Sequence, residues 1–433
     1  MKAANLDYAQ APRPAVVFGC LMPAPWLGVA AGLLLACGPA DGLPHRFAPL
    51  ALASVHALAL AMLLPVMLGA LFQMMPVVAR VPVPGVRWLA PFVALSGAAM
   101  ATALGVGFIG GEGEAFRWAA GIGLFPLLVA GVLFVTGRRV VRVDATTRTL
   151  ASIGAPLLLT VAAGIALAGV LGGWWALPLP TLLSLHVAWG LGGWLGALVT
   201  GVAMTVLPMF WQVPQLPGRL QRCLPVAHWL LLLIFSVVIV IAPDGDIGRW
   251  ALLPWLAFAG LLGGSMLIAV LRARRRHDPH WPLWAVASAS MTMATFLTTA
   301  NLWLPGSTVL PWWIGVLVLV GSGVLPVTAM LGKIVPFLVW LHLRRMLPPR
   351  ARVPVMQAII SPARQRQQGL LLLAAFAALL ALPWAPAWCA RIGGLLFAAA
   401  NAWLGFQLLT ALRCMARMRR QGGLPPREPR DGD

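Results

Sequence analysis

Long apolar runs separated by short polar breaks fill the chain from end to end. They cover roughly residues 15–37, 49–76, 88–109, 116–136, 150–172, 181–208, 223–242, 250–271, 282–303, 312–342, 367–385 and 390–413. About 20 apolar residues in a helix cross some 30 Å of hydrocarbon. The pattern therefore predicts an all-α polytopic membrane protein of about twelve transmembrane helices. The first run shows no small-residue cleavage site and is expected to stay as a helix.

Three of these helices share one plan. The second closes with VMLGALFQMMP at Pro76, the sixth with ALVTGVAMTVLP at Pro208, and the tenth with PVTAMLGKIVP at Pro336. The prolines stand 132 and 128 residues apart, so each repeat holds four helices. Such a period outranks any local motif in fixing a fold. All three helices run in the same sense, unlike the inverted repeats of many transporters. The expectation is three four-helix arcs about a pseudo-threefold axis: residues 1–140, 141–276 and 277–416, then a disordered cytoplasmic tail at 417–433. Each proline ends or kinks its helix, having no N–H and clashing with the turn before it. Gly69, Ala70, Gly201, Ala203, Ala329 and Gly332 just upstream allow close helix approach.

Composition agrees with this class: 60% of the 433 residues are hydrophobic and 10% charged. The charge that exists is sorted. Of 31 Lys and Arg, only Arg46, Arg117, Arg249 and Arg391 fall in one set of loops. Lys333 belongs to a span, and the other 26 lie in the opposite loops and the termini. Lys and Arg collect on the cytoplasmic side, so both termini are expected inside, as an even span count also requires. The net charge of +20 then reports topology and contact with anionic lipid. No soluble basic domain is present to bind nucleic acid. The longest extramembrane segment, 343–366, reads as an inner-surface strap. Five cysteines include no CxxC pair. Cys37 and Cys389 both fall near the outer face, where a bridge is permitted, although isolated cysteines in apolar context are more often free.

Chemistry enters with two histidines. His56 lies 20 residues before Pro76, and His186 lies 22 before Pro208. Titratable side chains inside a span are costly and mark function, and neutral imidazole is a common metal ligand. Equivalent positions in two repeats point to a shared cofactor site, with His56 and His186 as its cofactor or metal ligands. The plain alternative is a pair of histidines hydrogen-bonded to backbone carbonyls. The third repeat has Trp312 and Trp313 in that window and no histidine, so a tryptophan is expected to fill the unliganded pocket.

Twelve helices, three arcs, and the run HALALAMLLPVMLGALFQMMP resemble subunit I of the haem-copper oxidases. The resemblance implies that His56 is an axial ligand of a low-spin haem, and that His186 takes the place of a copper ligand on the sixth helix. The departures are large. HVAWG lacks the motif that follows that histidine in the family, and the single tyrosine is Tyr8. The histidine pair after the sixth helix is missing, with only His228 in the seventh, near its cytoplasmic end. No Asp or Glu lies inside a span. An oxygen-reducing centre and carboxylate proton paths cannot be assembled, so an enzyme is not expected. The chain is more similar to the NnrS-like branch, twelve-helix bacterial membrane proteins associated with haem, copper and tolerance of nitric oxide.

Other polar residues read more plainly. Lys333 is expected to snorkel to the inner surface. His342, with Arg344 and Arg345, looks interfacial. His277 and His280 belong to a solvated inner turn. His45 precedes the second helix and could approach His56. The methionines fill core gaps, and the tryptophans cluster at span ends as an interfacial belt.

The expected function is a non-oxidase membrane protein that binds haem b or copper, in nitric oxide or respiratory metal handling, in the bacterial inner membrane. A small-solute permease and a cofactor-free assembly partner remain the alternatives. The lipid bilayer is the one certain partner; partner subunits are not specified by the sequence.

Overall fold

The computed structural model describes residues 10–243 and 246–423. Among them no β-strand forms. A chain in hydrocarbon finds no water for stray N–H and C=O groups, and helices pair them internally. Twelve principal helices follow in order: α1 (Pro14–Cys37), α2 (Pro49–Val77), α3 (Val86–Gly110), α4 (Gly113–Gly137), α5 (Ala145–Leu171), α6 (Leu179–Trp211), α7 (Val226–Ile241), α8 (Ile247–Leu271), α9 (Trp281–Trp303), α10 (Val309–Met346), α11 (Pro362–Leu380) and α12 (Pro386–Gln421). Ten are long and apolar enough to cross a membrane. Two of the twelve expected spans fall short of that measure. α7 has only 16 residues, and α11 opens with the polar turns PARQRQQG.

α2, α6 and α10 form the interior. Of their most apolar windows 72%, 56% and 78% is buried, against 33–50% in the other seven spanning helices. Each carries a π-helical stretch: Ala57–Leu63, Ala188–Gly196 and Val316–Val324. These start 131 and 128 residues apart, close to the proline period. In a π turn each N–H reaches five residues back. Pro65 and Pro326 each stand two residues beyond a stretch. A proline offers no N–H and crowds the carbonyl one turn behind it, which favours a widened turn there. In α6 the stretch AWGLGGWLG holds four glycines instead, residues that weaken the ordinary helix. The π stretches meet at Gly323, where an added Cβ would lie 3.3 Å from Leu195 and 3.4 Å from Leu63.

Around this centre α4 packs on α5, α8 on α9, and α12 back on α1. In the last pair a Cβ on Gly394 would meet the Gly32 carbonyl oxygen at 2.5 Å. Lipid gives helices no hydrophobic reason to associate, so such close backbone contact does the work.

α12 continues to Gln421, so residues 417–421 of the expected tail are helical. The remainder of that tail from 424, and Tyr8, lie outside the described residues. α10 also extends to Met346, which shortens the expected strap. All five cysteines are free thiols, so Cys37 and Cys389 are not bridged.

Candidate functional site

His56 stands seven residues into α2 and His186 seven into α6. Each sits in the last ordinary turn before the π stretch. Seven residues are roughly 10 Å of helix axis, so the two share a depth. Their ring centroids are 6.4 Å apart and their planes within 13° of parallel.

The backbone fixes both rings. His56 Nδ1 donates to the Leu52 carbonyl at 2.8 Å. His186 Nδ1 donates to the Thr160 carbonyl of α5 at 3.0 Å. A carbonyl only accepts, so in each neutral imidazole Nδ1 holds the proton and Nε2 keeps its lone pair. Phe108 of α3 covers His56, with centroids 5.3 Å apart. Gly164 of α5 gives His186 room, since a Cβ there would lie 3.1 Å from its Cε1. Both rings are partly buried. The neighbouring turns are loosely covered, with no buried residue in Leu179–Val187.

This donor set is selective. A histidine that ligates a metal usually donates its other nitrogen to a carbonyl or carboxylate, and both do so here. The 6.4 Å between ring centroids places both imidazoles close enough to serve one bound group. No third His, Cys, Asp or Glu joins them among the described residues. A protein-built zinc tetrahedron needs four ligands and does not fit. Neutral imidazole nitrogens are the donor type that haem iron or a copper ion would take. The same carbonyl bonds would also satisfy two structural histidines. Near-parallel rings from two helices at one depth are what a structural role does not require.

The other expected participants lie elsewhere. Trp312 and Trp313 donate their N–H groups to Leu379 and Leu380 at 2.8 and 2.9 Å. They tie α10 to α11. His45 is exposed and accepts the Phe47 N–H.

His228 stands in the first turn of α7, at the end of its span where it was expected, yet that end is buried within the bundle. Its Nε2 donates to Gly192 at 2.8 Å, which lies 13 residues into α6, roughly 20 Å along the axis. The short α7 begins deep in the bundle.

At the arginine-rich end three expectations change. His280 is 1% exposed and packs on Gly332, not in a solvated turn. Burial, with Lys333 beside it, pushes the His280 imidazole down to about 4 against the opposing pull of Asp278. Lys333 does not snorkel freely: it is ion-paired with Asp278, whose carboxylate also accepts from Trp211 Nε1 at 3.1 Å and the His280 N–H at 3.0 Å. His342 is 5% exposed and lies edge-on to Phe18. His277 stays exposed as expected.

The sequence did carry a signal for Asp278. A lone lysine in a span needs a carboxylate, and Asp278 is the acid of the adjoining arginine-rich loop. The depth of His228 had no such signal.

No protein-family model matches the chain, and a search of curated proteins finds no match.

Proposed function

We propose that the protein is a haem- or copper-binding integral membrane protein without oxygen-reducing activity, with His56 and His186 as the ligands. One observation carries the reading: two near-parallel imidazoles, each pinned through Nδ1 to a carbonyl, each with Nε2 free. Bound there, the group would supply redox chemistry or coordination of a small gas. The chain's own part is to fix the ring tautomers and to cover His56 with Phe108.

The wider reading is an NnrS-like relative of haem-copper oxidase subunit I. It has twelve spans in three arcs, in a bacterial cytoplasmic membrane with both termini inside. The matched π stretches and the cyclic packing of α4 on α5, α8 on α9 and α12 on α1 support it.

The test is an absorption spectrum and metal analysis of protein purified from cells supplied with haem precursor and copper. A Soret band, or copper near one per chain, should be lost in both His56→Ala and His186→Ala. Neither group in the wild type, or a group retained in both variants, overturns the proposal.

A further inference from the structure

A cavity of about 90 Å³ lies between α6, α7 and α8 on one side and α9 and α10 on the other. About 10–15 Å³ by the same measure holds one water, so several small groups fit. It is long and narrow. Trp284, Ser288, Met291, Thr295 and Thr298 line it from one face of α9, and 14 residues of helix are roughly 21 Å.

Its walls are apolar with a few polar atoms of defined character. His228 is 1% exposed and donates through Nε2, so Nδ1 is an acceptor, and it is buried with no partner. The indole N–H groups of Trp255 and Trp284 are buried donors, also without partners. The His228 and Trp255 rings adjoin, with centroids 5.5 Å apart. The hydroxyls of Ser288, Thr295 and Thr298 donate to carbonyls of their own helix at 2.9, 2.7 and 2.7 Å, and their oxygens can still accept. No charged residue lines the space. Buried polar groups are nearly always paired, so unpaired donors and an acceptor around one cavity mark what is meant to enter it.

We propose that this cavity is a binding site for a small uncharged molecule, between water and a simple amide in size, which accepts from the Trp255 N–H and donates to His228 Nδ1. The absence of charge excludes ions. The matched donor and acceptor exclude purely apolar gases. The site is independent of the His56–His186 pair.

The test is indole N–H NMR of ¹⁵N-Trp protein in lipid nanodiscs, with the Trp255 resonance assigned by its loss in Trp255→Phe. Formamide is the probe. A saturable downfield shift is expected, lost in His228→Phe and in Ser288→Leu, which fills the cavity; a thermal melt confirms that each variant is folded. If formamide moves nothing, an exchange cross-peak between water and the Trp255 N–H identifies water as the occupant and supports the site. No shift and no water contact overturns the proposal, as does a formamide shift that persists undiminished in folded Ser288→Leu.

Discussion

Replacing Asp278 by Asn should destabilise the protein more than replacing its partner Lys333 by Met. Both side chains are only 18% exposed, so neither is a surface ion, for which a pair contributes about 0–1 kcal/mol. Removing one member of a fully buried pair costs about 3–5 kcal/mol, because the other charge is stranded. This pair sits between those limits, toward the arginine-rich end of α10. Asp278→Asn leaves Lys333 without its counter-ion, and about 2–3 kcal/mol is expected. Lys333→Met leaves the Asp278 carboxylate with two donors, Trp211 Nε1 and the His280 N–H. Hydrogen bonds to a charged group are the stronger kind, so a loss of about 1–2 kcal/mol is expected there. The double variant strands no charge, and its loss should fall short of the sum of the singles by about 2 kcal/mol. Unfolding in mixed micelles of lipid and denaturing detergent reads all four proteins on one scale. Additive losses, or an Asn variant as stable as the parent, would refute the reasoning.

His280 stays neutral when folded, since burial holds its imidazole at about 4. An unfolded histidine titrates near 6.5. Between these values the unfolded chain holds a proton that the folded chain lacks, so stability should fall as pH drops through that window, by up to about 3 kcal/mol. Comparing His280→Gln with wild type at pH 7 and pH 4.5 isolates the effect, and an equal pH slope in both would contradict it. At the junction of the three π stretches, Gly323→Ala should cost little. Gly323→Leu must push on Leu195 and Leu63 and should cost about 1–3 kcal/mol or more; a fully stable Leu variant in the same micelle titration would show that the junction is loose. A reporter fused after Arg430 should be active only on the cytoplasmic side, and periplasmic activity would reverse the orientation.

The sequence by itself determined the class and the helix order. Long apolar runs permit little else in lipid. It also singled out His56 and His186, because a polar side chain within a span is too costly to be incidental. What it could not determine was depth and company. α7 reads as an ordinary span, yet its first turn stands level with Gly192 in the middle of α6. Depth depends on where the preceding loop comes to rest, which no local pattern encodes. Lys333 read as a solvated cation because its partner lies 55 residues away across a helix pair. The π stretches stayed hidden because one residue of slip in hydrogen-bond register leaves hydropathy unchanged. Only the packed bundle showed that the two histidine rings stack. Two positions equivalent by repeat are not thereby neighbours. Tertiary packing made them so, by setting α6 against α5 and by leaving at Gly164 the space of one absent side chain.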